Sequence, residues 1–323
     1  MTEIVAVDIG GTHARFALAE VTGGRVLRLG EEFTLRTGEH DGLDAAWAAF
    51  AAAAGRPLPP AAAIALAGPA KGETLKLTNS DWTIRPAAIR ENLRVERFTL
   101  VNDFGAVAHA VAQLGEAHFS HLCGPERPLP PEGLISVLGP GTGLGVAQLL
   151  RRGGRDHVVE TEGGHIDFAP LDDLEDRILA WLRSRFGRVS VERVASGRGL
   201  ANLYVALAAI EGRDPGVREE RALWKAAIAG EDSLAAAALD RFCLTLGAVA
   251  GDIALAHGAE GVVIGGGLGL RLAGHLPRSG FRDRFVAKGR YERRMDEIPV
   301  KIVTHPQPGL FGAAAAFAAE HQE

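Results

Sequence analysis

Residues suited to phosphate and metal chemistry lie near the start of the chain. An apolar strand, Val5–Val7, ends at Asp8. The chain then turns on Gly10 and Gly11 and resumes as a strand after Thr12. Glycine lets the backbone reach positive φ and brings N–H groups against an anion with no Cβ in the way. The pattern predicts a β-hairpin that holds phosphate, with Asp8 facing a metal ion, although a plain tight hairpin with an exposed Asp would have the same sequence.

This hairpin differs from the better-known nucleotide loops. The sequence G-x-x-x-x-G-K-[ST] does not occur in the chain. A strand follows the turn, whereas a Rossmann loop would open a helix there. The phosphates must therefore be held by the hairpin itself.

A second hairpin of the same kind begins the second half of the chain. The apolar run 134–138 leads through a turn containing Gly141, Thr142 and Gly143 into another apolar run, 146–150. A repeated strand, Gly-Thr turn and strand indicates a duplicated domain with one phosphate hairpin in each half. Two such hairpins facing each other would hold one polyphosphate between them.

A candidate general base follows a predicted strand. Asn102 and Asp103 come directly after the strand 97–102, and open α/β sheets place ligand sites at the carboxyl ends of their strands. The Asp103 carboxylate is suited to accept a proton. Since a helix is predicted to begin here, Asp103 could instead be an N-cap, worth about 1 kcal/mol of helix stability.

Polar groups also converge after the predicted strand 157–160. Glu162 and His165 could hold vicinal hydroxyls, because a carboxylate accepts two hydrogen bonds while imidazole donates or accepts. A histidine that only structures its own loop is the alternative. Zinc is disfavoured, because the histidines are scattered and have no cysteine partners at ligand spacing.

Three glycines, Gly265–Gly267, follow the apolar run Val262–Ile264. Bare backbone at this point would let a planar ring lie close, which suits an adenine or a ribose. A plain turn from strand to helix would have the same sequence.

Bulk properties limit the class of protein. At 323 residues the chain exceeds the size of a single core, which predicts two domains. A net charge of −5 disfavours a nucleic-acid partner. The cysteines, Cys123 and Cys243, form no disulfide framework, which favours the reducing cytoplasm. We expect no signal peptide and no apolar run that approaches membrane-spanning length.

Periodicity and turn signals predict alternating strands and helices. Strands are predicted near residues 3–8, 14–20, 25–35, 62–67, 74–78, 97–102, 134–138, 146–150, 157–160, 262–264 and 300–304. Helices are predicted at 43–54, from just after 103, and at 171–186, 199–211, 218–229, 232–257 and 310–320. The Pro- and Gly-rich segment 115–133 predicts a crossing between domains, and the Arg-rich run 278–294 predicts a solvated, ion-paired surface.

Taken together, the motifs resemble one family, the bacterial glucokinases of the hexokinase and actin-like superfamily. The resemblance runs almost from end to end of the chain. Its motifs are V-D-I-G-G-T at Val7–Thr12, T-N-S-D-W at Thr78–Trp82, V-N-D-F at Val101–Phe104, G-T-G-L-G-V-A at Gly141–Ala147, E-G-G-H-I-D-F-A-P at Glu162–Pro170, S-G-x-G-L at Ser196–Leu200 and P-G-L-x-G at Pro308–Gly312.

The resemblance implies roles for individual residues. Glucose would be held by Asn102, Asp103, Glu162, His165 and Glu192, with Asp103 the base for the 6-hydroxyl. Glu192 enters on this ground alone, since the residues themselves indicate only an acid in the first turn of a helix. The ATP phosphates and Mg²⁺ would be held by Asp8, Gly10, Gly11, Thr12, Gly141, Thr142 and Gly143, with Asp8 reaching the metal through water, and Gly265, Gly266 and Gly267 would approach the adenosine.

The resemblance also implies the fold and the assembly. We expect an actin-like, ribonuclease H-like α/β sugar kinase fold, with a small domain, 1–113 plus 305–323, and a larger domain, 114–304, around a cleft. A cytoplasmic homodimer is expected, with glucose and ATP as partners and neither nucleic acid nor membrane. The alternatives are a kinase for another hexose, an actin-like ATPase and a non-catalytic sugar sensor.

This chain departs from the family pattern at His13, where family members usually carry Asn. The departure bears on nucleotide affinity or local loop contacts. It does not bear on the class of reaction.

Overall fold

The chain divides into two compact units. A computed structural model describes residues 1–68, 70–77 and 81–322. Unit 1 comprises Met1–Gly115 and His305–Glu323, and unit 2 comprises Glu116–Thr304. The predicted strand 74–78 and the T-N-S-D-W motif both include positions from 78 to 80, which lie outside the described residues.

Unit 1 combines a mixed sheet with helices on both faces. Its strands are β1 (Thr2–Ile9), β2 (His13–Thr22), β3 (Arg25–Leu29), β4 (Phe33–Arg36), β5 (Ala61–Leu66), β6 (Leu75–Lys76), β7 (Thr83–Ile84) and β8 (Arg97–Asn102). Its helices are α1 (Leu43–Ala54), α2 (Pro86–Leu93), α3 (Asp103–Gln113) and the C-terminal α11 (Pro308–Glu320).

The sheet of unit 1 runs in the order β3-β2-β1-β5-β8, with β4 also paired to β2. Alternate residues of β1 face opposite layers, as a pleated strand requires. Ile4 packs in a core layer with Leu310 and Phe317 of α11, whereas Val5 packs in the other layer with Trp47 of α1. The small side chains of the first layer let α11 lie close to the sheet.

Unit 2 has a second mixed sheet and most of the helices. Its strands are β9 (Phe119–Cys123), β10 (Gly133–Pro140), β11 (Leu144–Arg152), β12 (Arg155–Thr161), β13 (Gly261–Ile264) and β14 (Val300–Val303). Its helices are α4 (Asp173–Phe186), α5 (Gly197–Ile210), α6 (Glu220–Ala229), α7 (Ser233–His257), α8 (Gly266–Arg271), α9 (Phe281–Val286) and α10 (Glu292–Asp296).

The strand orders of the two sheets correspond, as the predicted duplication requires. In unit 1 the antiparallel pair β1–β2 is continued by the parallel strands β5 and β8. In unit 2 the antiparallel pair β10–β11 is continued by the parallel strands β13 and β14. Each glycine hairpin therefore joins the antiparallel pair that its parallel strands extend.

Two predictions about elements were wrong. The predicted strand 25–35 is split into β3 and β4, and the Gly30 N–H donates to the Leu18 carbonyl, 2.7 Å away, between them. The Pro- and Gly-rich segment 115–133 is predicted to cross between domains and no strand is predicted in it, but it contains β9. That strand pairs with β14, whose residues lie far away in sequence, so local composition carries no sign of it.

The Arg-rich run 278–294 is only partly a solvated surface. Arg282 is half exposed and pairs with Asp296 at 2.6 Å. Arg284, in contrast, is mostly buried, and its guanidinium contacts the carboxylates of Asp172 and Glu175. The prediction was wrong for Arg284 because its acidic partners lie on another helix.

The prediction that no apolar segment approaches membrane-spanning length was also wrong. By length and composition, α7 could cross a membrane. Of its most apolar window, 72% is buried inside the structure, where α7 packs against α5, α6 and α9. A helix surrounded by other helices is apolar on most of its faces for that reason.

Candidate functional site

The first glycine hairpin joins β1 to β2 at the carboxyl edge of the parallel strands. The Gly10 N–H donates to the His13 carbonyl at 2.9 Å and closes the turn. Neither Gly10 nor Gly11 has a left-handed φ, so the expectation of positive φ at these two positions was wrong. Neither glycine has a Cβ atom, however, so an anion can still approach the backbone of the turn closely.

Asp8 lies on β1 opposite Arg15 of β2. An Arg15 guanidinium nitrogen is 3.3 Å from the Asp8 carboxylate. Burial raises the pKa of the Asp8 carboxyl, and Arg15 acts against that rise. A largely buried carboxylate with one guanidinium neighbour is suited to a further cation.

Gly309, in the first turn of α11, makes room for this carboxylate. A Cβ built on Gly309 would lie 2.6 Å from an Asp8 carboxylate oxygen. Because Gly309 has no side chain, a small space remains beside the Asp8 carboxylate, which a Cβ would fill; this space is the cradle at Gly309. Mg²⁺ prefers one or two carboxylate oxygens together with substrate phosphates, and Asp8 fits that donor set. In the described ranges, 1–68, 70–77 and 81–322, acidic, histidine and cysteine side chains form no cluster of three or more that could hold a metal alone.

Asn102 and Asp103 lie at the same sheet edge as the first hairpin. In the parallel register, Ile9 of β1 is next to Leu66 of β5, and Leu66 is next to Asn102 of β8. These three strands end side by side. The β1–β2 turn and the start of α3 are thereby brought together.

The N-cap of α3 is Asn102, so the alternative role of Asp103 as N-cap was wrong. The Asn102 side-chain oxygen accepts from the N–H groups of Phe104 and Gly105, at 2.9 and 3.1 Å. Its amide group donates to the Gly68 carbonyl at 3.0 Å. Asp103 is the first helical residue, an acidic side chain in the first turn of α3.

The second glycine hairpin joins β10 to β11. The Gly141 N–H donates to the Gly143 carbonyl at 2.8 Å, and the Gly197 N–H donates to the Gly141 carbonyl at 2.7 Å. Thr142 lies at the tip of this turn. The hairpin is therefore held by one hydrogen bond inside its own turn and by a second from the first residue of α5.

Glu192 also contacts the second hairpin. It lies in a short 3-10 helix, Val191–Arg193, and its carboxylate accepts from the Leu144 N–H at 2.9 Å. A Cβ on Gly143 would clash with this carboxylate. The family resemblance implies only a sugar-binding role for Glu192, and no signal in the sequence predicts this contact, because its partners lie on separate elements.

Glu162 and His165 are both exposed on the segment that follows β12. A 3-10 helix, Gly163–His165, shapes this segment, and the Arg188 guanidinium donates to the His165 carbonyl at 2.6 Å. The Val191 N–H donates to the Ile166 carbonyl at 2.8 Å. This bond joins the segment to the one that carries Glu192, so the structure brings Glu162, His165 and Glu192 into one region of unit 2.

The triple glycine lies against the end of β10. The Gly265 N–H donates to the Leu138 carbonyl at 2.8 Å, and α8 begins at Gly266. Gly266 has a φ of +77°, and a Cβ there would lie 2.6 Å from the Pro140 carbonyl oxygen. A Cβ at Gly267 would meet only open space. The glycines thus form a strand-to-helix turn beside the second hairpin, and they leave bare backbone exposed.

A cavity of about 670 Å³ in unit 2 was not predicted from the sequence. Its lining combines apolar surface with cationic side chains from α6 and α8: Glu219, Arg221, Ala222, Trp224, Lys225, Ile228, Ala229 and Arg271. The Trp224 indole N–H donates to the Gly197 carbonyl at 3.2 Å, and the Gly197 N–H in turn contacts Gly141. The cavity is therefore linked to the second hairpin through one residue.

A further cavity of about 830 Å³ lies beside the first hairpin in unit 1. Its walls come from the hairpin, from the segment after β4 and from the end of the T-N-S-D-W motif: Gly11, Thr12, His13, Arg36, Thr37, Gly38, Glu39, His40, Asp41, Asp81 and Trp82. His13, the departure from the family pattern, is part of this wall.

Comparison with known proteins shows similarity to glucokinases along nearly the whole chain. A family model described as Glucokinase matches residues 5–320. A glucokinase from Zymomonas mobilis subsp. mobilis is 64% identical over 321 residues, which make up 99% of each chain. The crystal structure of a glucokinase from an Antarctic psychrotroph has a TM-score of 0.84 at 34% identity, covering 98% of this chain and 99% of that one.

A more distant structure supports the fold alone. A ROK family glucokinase from Streptomyces griseus, solved in complex with glucose and AMPPNP, has a TM-score of 0.63 at 20% identity, covering 97% of this chain and 98% of that one. The predicted fold class, a two-domain actin-like α/β sugar kinase fold, is confirmed. The chain belongs to the glucokinase family.

Proposed function

We propose that this chain transfers the γ-phosphoryl group of ATP to the 6-hydroxyl of glucose, giving ADP and glucose 6-phosphate. The observation that carries the proposal is the match to the glucokinase family over residues 5–320, with 64% identity to a named glucokinase along the full length. Phosphoryl transfer depends mainly on positioning and charge stabilisation, and it needs no covalent nucleophile.

Asp103 is proposed as the general base. Its carboxylate takes the proton of the glucose 6-hydroxyl as the oxygen bonds to the γ-phosphorus and the bond to the bridging oxygen of ADP breaks. Its place directly after the N-cap Asn102 holds the carboxylate in the first turn of α3, at the carboxyl edge of the sheet. A positioned base of this kind contributes about 10²- to 10⁴-fold in rate.

Glucose is proposed to bind Asn102, Asp103, Glu162, His165 and Glu192. Carboxylates accept hydrogen bonds from sugar hydroxyls, while amide and imidazole groups can donate to them. The bonds of Asn102 to Gly68 and to the first turn of α3 fix its orientation. The exposed side chains of Glu162 and His165 support a role in ligand binding.

The ATP phosphates are proposed to bind the two glycine hairpins, at Gly10, Gly11, Thr12, Gly141, Thr142 and Gly143. Asp8 is the residue proposed to hold Mg²⁺, through water. When bound, Mg²⁺ neutralises charge on the phosphates. The cradle at Gly309 supports this assignment, because it leaves the Asp8 carboxylate room beside the first turn of α11.

The adenosine is proposed to lie along Gly265–Gly267 and in the cavity between α6 and α8. Ile228 offers apolar surface to a base, and Arg271 offers a planar guanidinium on which it can stack. Lys225 adds positive charge near the polyphosphate. The link from this cavity through Gly197 to the second hairpin supports a continuous nucleotide site within unit 2.

We propose a cytoplasmic homodimer, and domains that span 1–113 with 305–323 and 114–304. Size-exclusion chromatography with light scattering tests the dimer. A single-protomer mass at micromolar concentration would contradict it.

The function is tested by an assay that couples ADP release to a visible signal. Purified protein is given Mg-ATP with glucose, mannose, fructose or glucosamine, or with no sugar. We expect ADP release that requires a hexose and is fastest with glucose. Hydrolysis that is independent of sugar would favour the actin-like ATPase, a preference for a different sugar would favour another hexose kinase, and silence with every hexose would favour a non-catalytic sensor.

A further inference from the structure

The T-N-S-D-W motif has no role in the proposed chemistry, yet its last residue is firmly held. The Trp82 side chain is buried, and its indole N–H donates to two backbone carbonyls, those of Thr37 at 3.0 Å and His40 at 2.9 Å. These carbonyls belong to the 3-10 turn Thr37–Glu39 and to the residue that follows it. Trp82 therefore holds this short turn at both ends.

The 3-10 turn Thr37–Glu39 is itself hydrogen-bonded to the first glycine hairpin. The Thr37 N–H donates to the Thr12 carbonyl at 3.0 Å, and the Thr37 hydroxyl donates to the Gly11 carbonyl at 3.1 Å. Thr37 is buried, 4% exposed, and its hydroxyl bond to the hairpin is partly buried. Two consecutive carbonyls of the hairpin are thereby directed at one residue.

A trans peptide is planar, and its N–H points opposite to its C=O. When the carbonyls of Gly11 and Thr12 point toward Thr37, the N–H groups of Thr12 and His13 must point to the opposite side. Amide N–H groups directed to one side of a glycine turn are what an anion needs. The orientation of these donors thus depends on Thr37 and, through it, on Trp82.

We propose that Thr37 and Trp82 are positioning residues of the nucleotide site: they fix the peptide planes of the first hairpin so that its amides are oriented for phosphate before ATP arrives. The inference rests on the proposed function, since it takes the hairpin to be a phosphate site. Neither side chain has to touch the substrate. Both act through the backbone of Gly11 and Thr12.

The test uses substitutions that keep shape and remove one donor. Thr37→Val replaces the hydroxyl by a methyl, Thr37→Ser keeps the hydroxyl, and Trp82→Phe keeps a ring but removes the N–H. A single neutral hydrogen bond corresponds to roughly threefold to tenfold in an equilibrium constant. For Thr37→Val and Trp82→Phe we expect KM for Mg-ATP to rise by about that factor while KM for glucose is unchanged, and Thr37→Ser should restore the wild-type value.

Matched controls come from the same unit. Trp47→Phe removes the same ring volume from α1 in the core layer that contains Trp82. Thr99→Val removes a buried hydroxyl on β8, which donates to Glu320 at 2.5 Å. Both controls should lower the melting temperature and leave KM for Mg-ATP unchanged.

The outcomes separate this inference from the proposed function. Wild-type protein that phosphorylates no hexose overturns the function; the inference is then judged by Mg-ADP affinity and by hydrogen exchange of the amides 10–13, which Thr37→Val should accelerate. In active protein, an unchanged KM for Mg-ATP in both Thr37→Val and Trp82→Phe overturns the inference. Equal rises in both KM values, or a rise that Trp47→Phe reproduces, would show a merely structural role and overturn it as well.

Discussion

Asp103 and Asp173 occupy equivalent positions in two helices. Each is the first helical residue after its N-cap, Asn102 for α3 and Asp172 for α4. The helix dipole stabilises a carboxylate at both positions to a similar degree. Only Asp103 lies at the carboxyl edge of the strands that carries a glycine hairpin. Comparing Asp103 with Asp173 therefore distinguishes the contribution of a catalytic base from the stability that an acidic residue gives in the first turn of a helix.

Asp103→Asn is expected to fold and to bind glucose, because Asn102 keeps the cap and the amide keeps a polar group. Without a base for the 6-hydroxyl, kcat should fall at least about 10²-fold. Steady-state kinetics checks the fall in kcat, and a glucose titration followed by tryptophan emission checks that glucose still binds. Asp173→Asn is the control and should turn over like the wild type. Near wild-type kcat in Asp103→Asn would remove Asp103 from its proposed role.

At the scale of elements, Glu192 connects two parts of unit 2. Its carboxylate accepts from the Leu144 N–H at the start of β11, so it holds the second hairpin as well as being a proposed sugar ligand. Glu162 is exposed, and among the described residues its carboxylate makes no corresponding bond to the hairpin. Both carboxylates are proposed to bind glucose, but the Glu192 carboxylate also positions the second hairpin.

This difference predicts different effects of the same substitution. Glu162→Gln should raise KM for glucose and leave KM for Mg-ATP unchanged. Glu192→Gln should raise both, because the bond to Leu144 loses its charge assistance and weakens by roughly half. Steady-state kinetics that give KM for glucose and KM for Mg-ATP in both variants test this prediction. If Glu192→Gln altered glucose binding alone, the bond to the hairpin would have no consequence for the nucleotide.

A partly buried ion network joins three helices of unit 2. The Asp172 carboxylate caps α4 through the Glu175 N–H at 2.9 Å and pairs with Arg241 of α7 and Arg284 of α9, each at 2.6 Å. Burial acts to raise the pKa of Asp172, but the Glu175 N–H and the two guanidinium groups hold it below its usual value. A carboxyl whose folded pKa is depressed contributes stability above its unfolded pKa, about 3.9, and that contribution is lost as pH falls through the folded pKa.

The melting temperature of the wild type should therefore fall more steeply between about pH 5 and pH 3 than that of Asp172→Asn. At neutral pH the variant should be the less stable of the two. Thermal unfolding at a series of pH values checks the prediction, with Asp176→Asn on the same helix as the control. Parallel curves for the wild type and Asp172→Asn would show that the network does not couple to pH.

The sequence predicts elements well where the signal is local, and poorly where a distant partner decides. Both glycine hairpins are recognisable because turn residues and apolar runs lie next to each other. β9 is not recognisable, because it exists through its pairing with β14, and the role of Thr37 depends on a carbonyl 26 residues away. Glu192 was found by resemblance alone, since its contact with Leu144 joins segments that show no shared pattern.

At the scale of the whole molecule, the two units differ in chain continuity. Unit 2 is one continuous segment, whereas unit 1 is completed by residues from the end of the chain. Helix α11 supplies Leu310 and Phe317 to a core layer that also holds Ile4 of β1. A Cβ on Gly312 would clash with the Ala106 carbonyl, which shows how closely α11 lies against α3. Unit 1 therefore cannot complete its core until the last helix is in place.

A chain that ends at Thr304 should keep unit 2 folded and lose unit 1. Removing α11 exposes one face of the β1, β5 and β8 layer, and each large apolar side chain uncovered there costs about 1.5 to 3 kcal/mol. Hydrogen exchange checks this by region: amides of β1 and β5 should exchange rapidly, while those of α7 stay protected. A chain that ends at His321, which retains all of α11, is the control and should exchange like the full-length protein. Protected β1 amides in the shorter chain would mean that unit 1 folds without its C-terminal helix, and equal loss in α7 would mean that the two units unfold as one.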